Sequence, residues 1–337
     1  MKRTFCRGVC VACVFMMSLL WFGAAFGGEL KPVRIRLSVT GADTSPISMG
    51  AKKWSELAKE RSGGKIDIQV FPNEQLSSGN QQKGIENLQM GVIQASMHSS
   101  IIYSVLDPKF SVPSLPWLIP DFEAVDKAFA GKAGEMIKDV ARTKGIEPIA
   151  FMENGFRQIT NSVRPIRTPE DMQHMKIRVP GMKLYMDLFS ALGADPTAMN
   201  IGEVFTSLQQ RTIDGQENPI AVIHSRKFYE VQKYLTICNY SYDPYIVGVN
   251  RKFWDGLQQE AKDILLSTVK EAAAYQVKLT RETEARQIEE IKASGTEVNV
   301  LTPEEVALFQ EKAKVIYEKY EPQFGAEIIE AFRNPEK

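Results

Sequence analysis

Apolar Val33, Ile35, Leu37 and Val39 alternate with Arg34, Arg36 and Ser38, a period of two that predicts a strand with one face in a core. Helical spacing over residues 48–61 follows and stops at Gly63-Gly64, after which Ile66, Ile68 and Val70 restart the alternation. Leucine and isoleucine spacing between Gly79 and Gly91 predicts another helix, and residues 92–97 another strand. Further on, the pattern predicts a helix over 122–144, a strand over 146–151, a short helix over 168–174 and a strand over 175–179. This strand, helix, strand rhythm is that of an α/β protein, with parallel strands flanked by helices.

Two helix starts are written out chemically. Thr168-Pro169-Glu170-Asp171 and Thr302-Pro303-Glu304-Glu305 each put Thr at the cap, Pro at the first helical position and an acid three residues after the cap. Residues 257–294 form a run of 38 without Gly or Pro. As one helix it would be about 57 Å long, at 1.5 Å per residue. Its apolar positions keep helical spacing without a sustained heptad, so a coiled coil is the weaker reading. A helix of that length must lie along more than one domain, and 337 residues suffice for two domains at about 150 each.

Composition is balanced, with 41 basic and 41 acidic residues and 44% apolar. That balance argues against a nucleic-acid partner, which calls for a strongly basic domain. Lys2, Arg3 and Arg7, the apolar run from Val9 to Phe26 and the exit Ala25-Phe26-Gly27 together read as a secretory signal peptide over residues 1–28. A retained membrane anchor is the alternative. Without the leader, 38 basic residues face 41 acidic ones, a net of −3. Cys6, Cys10 and Cys13 leave with it, so Cys238 is alone and no internal disulfide is expected. The expected location is the periplasm or an equivalent space outside the inner membrane.

His98, His174 and His224 stand far apart, in no metal-ligand spacing, and read as surface or packing residues. Neither a phosphate loop nor a Gly-x-Ser-x-Gly elbow is present, and the carboxylates show no pairing that singles out an acid/base couple. No enzyme, cofactor or metal is expected. Arginines at strand ends do stand out. In Met175-Lys176-Ile177-Arg178-Val179-Pro180 the alternation puts Lys176 and Arg178 on one face, and Pro180-Gly181 ends the strand just beyond Arg178. Arg157 likewise follows the strand predicted over 146–151. Ligands of open α/β sheets bind outside such edges, and a guanidinium there can hold a carboxylate through two parallel hydrogen bonds. Surface or interdomain salt bridges are the alternative for both.

The ordered motifs Gly64-Lys65-Ile66-Asp67-Ile68, Phe71-Pro72, Lys176-Ile177-Arg178-Val179-Pro180, Leu192-Gly193-Ala194, Glu203-Val204-Phe205-Thr206-Ser207-Leu208-Gln209, Asp214-Gly215-Gln216-Glu217-Asn218-Pro219 and Phe228-Tyr229-Glu230-Val231-Gln232-Lys233 carry a resemblance over essentially the whole mature chain. The sequence resembles the periplasmic solute-binding proteins of tripartite ATP-independent periplasmic (TRAP) transporters, of the DctP type. The resemblance implies two α/β domains with crossing strands and one long helix spanning both. It implies a first domain of residues 29–153 plus about 243–283, and a second of 154–242 plus about 284–337. Its members close around a small organic acid and deliver it to the transporter's membrane subunits, driven by an ion gradient. The implied partners are therefore a carboxylate ligand and those subunits, with the protein a monomer or, alternatively, a dimer.

By the same resemblance Arg178 matches the arginine that clamps the ligand carboxylate, Arg157 a second arginine of the site, and Asn218 an asparagine on the same carboxylate. A turn residue before Pro219 is the alternative for Asn218, and Glu203 and Asp214 are expected to be structural. Where sialic-acid-binding relatives hold their sugar, this chain has Ser99 and Ile102; Thr40 falls at a polar position, and Met182 and Ile201 are expected to line the carboxylate end. The expectation is a less polar keto, hydroxy, amino or aromatic acid, with a C4-dicarboxylate or sugar acid as the alternative. A ligand sensor for a signalling receptor and an exported enzyme are the other readings. Tyr240 and Tyr242 are expected at the distal end of the ligand or else in the core. Arg211 stands where many relatives carry a helix-ending Gly.

Overall fold

The computed structural model describes residues 29–336, so the leader assigned to residues 1–28 and its cysteines lie outside the described residues. The strands are β1 (Val33–Val39), β2 (Ile66–Phe71), β3 (Ala95–Ser99), β4 (Ile146–Asn161), β5 (Lys176–Val179), β6 (Asp195–Ala198), β7 (Gly215–Pro219), β8 (Tyr234–Ile237), β9 (Tyr242–Asn250) and β10 (Glu297–Val300). The helices up to β9 are α1 (Pro46–Arg61), α2 (Gln81–Gln89), α3 (Ser100–Tyr103), α4 (Phe122–Ala130), α5 (Lys132–Thr143), α6 (Lys183–Ala191), α7 (Ile201–Gln209) and α8 (Ile220–Ser225). After β9 come α9 (Arg251–Asp255), α10 (Gln259–Ala293), α11 (Pro303–Phe324) and α12 (Ala326–Arg333).

Strand order is β2-β1-β3-β9-β4-β7-β5-β6, with β8 also on β4 and β10 on β8. The two outer portions are largely parallel, as expected, while β3–β9, β4–β9, β4–β7 and β4–β8 are antiparallel. β4 joins the halves. Its residues 146–156 pair with β9 and its residues 157–161 with β7, so one strand belongs to both portions. The ladder with β9 slips between Glu153 and Gly155, and Gly155 takes φ 116°, a conformation that a side chain disfavours.

The long helix is real and continuous. α10 has 35 residues, about 52 Å at 1.5 Å per residue. Leu265, Val269 and Ala272 enter a core with Ile35, Leu37, Trp54 and Val247, while Ile291 enters a separate core with Val204, Ile223 and Leu235. The helix thus spans both halves. α1 crosses it closely: a Cβ on Gly50 would lie 2.8 Å from the Gln276 Cβ, so the bare backbone of Gly50 permits the approach. Among the described residues no helix is long and apolar enough to cross a membrane.

Three sequence expectations change. β4 runs on past residue 151 to Asn161, because every residue from Met152 to Asn161 is buried and the alternation that marks a half-exposed strand disappears. The helix expected over 122–144 is two helices, α4 and α5, parted at Gly131, whose extended backbone (φ −103°, ψ −157°) breaks the turn. The strand expected from residue 92 starts at Ala95, leaving Val92 47% exposed in the preceding turn. Both Thr-Pro capping boxes form, at Thr168 and Thr302. Arg211 adopts φ 57°, the left-handed geometry that a glycine takes more easily.

Candidate ligand-binding site

A cavity opens where β4 and β9 cross. Thr40, Ser99 and Ile102 line it from the first half, Asn154 and Arg157 from β4, and Arg178, Ile201, Asn218 and Arg226 from the second. Each polar group arrives by a local rule: Thr40 follows the last residue of β1, Ser99 ends β3, and Arg178 lies next to last in β5.

Arg157 is 2% exposed, and its donors are consumed by protein. Nε and Nη2 form a fork on the Glu217 carboxylate, with Nη2 to Oε1 at 2.9 Å. Nη1 donates to Asp243 Oδ2 at 2.8 Å, and Nη2 also donates to Asn218 Oδ1 at 3.2 Å. Burial opposes the charge of Arg157, but Glu217, together with Tyr185 and Tyr240, offsets it and holds the pKa well above the ordinary arginine value. Asp243 is pushed up by burial, while Arg157, Ser99 and Asn154 pull it back. Ser99 Oγ donates to Asp243 Oδ1 at 2.5 Å and Asn154 Nδ2 to its Oδ2 at 2.7 Å. Asn218 in turn gives its Nδ2 to Gln216 Oε1 at 2.6 Å.

Arg178 is 1% exposed and its situation is the reverse. Its hydrogen bonds go to one main-chain carbonyl, from Nε at 2.9 Å and Nη2 at 2.6 Å to Met199 O. Its Nη1 has no hydrogen-bond partner, and no carboxylate pairs with the side chain, among the described residues. Burial pushes its pKa down to about 9, against the pull of Glu217 and with Arg157 and Arg226 adding to the depression. It stays charged at neutral pH. A buried cation without a counterion is unusual, since burial of charge is costly unless paired.

Of the residues expected to form a site, Arg178, Arg157, Asn218, Thr40, Ser99 and Ile201 line one cavity. Met182 and Tyr240 stand outside that lining. Met182 is buried with Leu184 and Tyr185 in the apolar core before α6. Tyr240 packs on Tyr185 and Phe189, and its hydroxyl donates to Glu217 behind Arg157. Tyr242 is likewise buried, its hydroxyl donating to Glu153 at 3.3 Å. Asp214 accepts from the Lys176 amide at 2.8 Å and Glu203 sits in the first turn of α7. His98 is wholly buried and pairs with Glu74 at 2.8 Å, His174 occupies a turn at φ 60°, and His224 pairs with Glu290 at 2.6 Å. Sequence reasoning missed Arg226, Asp243 and Glu217. Glu217 lay inside the quoted Asp-Gly-Gln-Glu-Asn-Pro motif, whereas nothing in the surrounding residues marks Arg226.

A family model for bacterial extracellular solute-binding proteins, family 7 (DctP), matches residues 37–323. The chain belongs to that family. It is 36% identical to the 2,3-diketo-L-gulonate-binding periplasmic protein of Escherichia coli, covering 82% of this chain and 84% of the relative. It is 34% identical to the C4-dicarboxylate-binding periplasmic protein of Rhodobacter capsulatus, covering 90% and 91%. A TRAP periplasmic solute-binding protein from Ralstonia eutropha, solved with (S)-2-acetolactate bound, superimposes with a TM-score of 0.87 at 32% identity, covering 90% of this chain and 98% of that one. The family 7 fold, two α/β domains joined by crossing strands and a long helix, is the one described above.

Proposed function

We propose that this family 7 protein is the exported binding subunit of a TRAP transporter, which takes up a small organic acid in the cleft and passes it to the transporter's membrane subunits. The observation that carries the ligand class is Arg178, a cation buried to 1% exposure, without a carboxylate partner, on the wall of a cavity. A ligand carboxylate supplies the missing charge. The three relatives named above bind a sugar acid, a dicarboxylate and a hydroxy keto acid, which share a carboxylate and little else. In this reading Arg178 is the clamp, and Arg157 is a positioning residue that fixes Asn218 beside it. Thr40, Ser99 and Ile201 shape the remaining walls.

Further parts of the reading follow. Residues 1–28 act as a cleavable signal peptide that sends the protein to the periplasm. The two domains part on β4 near residue 153 and on β9 near residue 243, with α12 on the first domain because it packs against α4 and α5. The bound acid is released unchanged, so the protein is a carrier and not an enzyme.

Small molecules released from the purified protein and identified by mass spectrometry would name the acid, and calorimetry would then compare Arg178→Ala with wild type. The expected loss is about 2–5 kcal/mol, the range for breaking a buried charge pair, or at least about 30-fold in Kd. Unchanged affinity would remove Arg178 from the site, and turnover of the recovered acid would overturn the carrier reading.

A further inference from the structure

Arg226 follows the last residue of α8 and its half-buried guanidinium lines the same cavity as Arg178. Its Nη2 donates to the main-chain oxygen of Thr40 at 2.9 Å, a bond from the second half of the molecule to the first across the cleft. It forms no ion pair among the described residues. Burial lowers its pKa, with Tyr245 and Glu74 pulling the other way. A guanidinium withdrawn from water needs oxygen acceptors in place of the lost hydration, and the Thr40 carbonyl supplies only one.

The acceptor it does have is firmly held. Thr40 Oγ1 donates to Glu74 Oε1 at 2.7 Å, and Glu74, 1% exposed, is itself fixed by His98 and by Ser77 at 3.2 Å. Both arginines belong to the second half, but Arg178 is anchored within it, to Met199 O, whereas Arg226 is anchored across the cleft to Thr40 O. Asn218 precedes α8 and Arg226 follows it, so a helix of 6 residues, about 9 Å long, lies between their backbone positions. Along α8 the cavity is lined by Ala221, Val222 and Ser225, none of which carries a charge to pair with the guanidinium.

We propose that Arg226 is a second ligand-contacting arginine and a specificity determinant: with a carboxylate on Arg178, Arg226 takes an oxygen acceptor at the far end of the ligand, best an anionic one. Because the same guanidinium ties Thr40, that contact also draws the two halves together. The cleft therefore selects short acids that are oxygen-bearing at both ends over acids with an apolar tail. This rests on the carboxylate-binding reading above.

Succinate, 4-hydroxybutyrate and butyrate test it, since they share chain length and one carboxylate and differ only at the far end. In calorimetry the wild type is expected to bind succinate tightest, 4-hydroxybutyrate next and butyrate about 10- to 100-fold more weakly than succinate, the range for a hydrogen bond to a charged group. Arg226→Met is expected to bring succinate and butyrate within about threefold of each other, with succinate weakened far more than butyrate, which loses only the tie to Thr40. Arg226→Lys, which keeps the charge but loses the planar fork, should fall between, and serves if the Met variant does not fold. Equal weakening of all three acids by Arg226→Met would make Arg226 an interdomain tie alone and overturn the proposal. So would an unchanged ratio, or no binding of any of the three by wild type. Failure of the carboxylate reading has a different signature, namely that Arg178→Met leaves the affinities as they were.

Discussion

Arg157 and Arg178 are both buried guanidiniums, yet one is saturated by carboxylates and the other is left with a single carbonyl. The difference predicts opposite effects on the unliganded protein. Arg157→Met strands Glu217 and Asp243 without their cation and is expected to cost about 3–5 kcal/mol, read as a lower urea midpoint. Arg178→Met removes a charge that has no counterion and is expected to leave stability unchanged or raise it, while weakening binding at least about 30-fold. Groups held in readiness for a ligand commonly reduce stability in this way. A lower midpoint for Arg178→Met would mean that Arg178 holds the fold.

At the scale of elements, the join between α10 and β4 depends on one side chain. Gln276 accepts from the Glu153 amide at 2.9 Å and donates to the Glu153 carbonyl at 2.7 Å, so the helix pairs with the strand as another strand would. This happens beside the slip in the β4–β9 ladder, where the backbone would otherwise lack partners. Gln276→Leu leaves two buried backbone groups unsatisfied, each worth about 1–3 kcal/mol. Thermal unfolding should show a lower Tm, and hydrogen exchange should be faster at Glu153. Gly50→Val tests the same join from the other side, because its Cβ would collide with Gln276 and push α1 off α10. A destabilised but folded variant is the expected result.

Across the whole molecule, α10 carries a charge cluster at the crossing. Arg281 donates to Glu153 Oε2 at 2.8 Å and to Asp126 Oδ1 at 2.7 Å. Glu284, on the next turn of the helix, is pushed up to about 7, first by burial and then by the charge of Glu153. A carboxyl whose folded pKa is raised binds more protons in the native state than in the unfolded one. Its contribution is therefore fully present below about pH 4 and is lost as the pH rises through about 7. Glu284→Gln is expected to stabilise by about 1–3 kcal/mol at pH 8 and by close to nothing at pH 4. Chemical denaturation at the two values checks the sign, and an equal effect at both would show that burial of the carboxylate is not the cause.

Sequence alone determined what depends on near neighbours. The α/β rhythm, the Thr-Pro caps, the unbroken run that becomes α10 and the strand-edge place of Arg178 all follow from spacing within a few residues, and the family motifs were legible with them. Only the tertiary structure decided what depends on distant partners. β4 looked short because its second half is polar yet buried on both faces, which no local period encodes. Arg157 and Arg178 looked alike because Glu217 and Asp243, the residues that neutralise one and not the other, lie 60 or more positions from Arg157. Arg226 looked like an ordinary helix-end cation until the crossing strands brought its guanidinium against Thr40, 186 positions away. A side chain's charge is written in the sequence, but whether that charge is already satisfied depends on which surfaces the fold brings together.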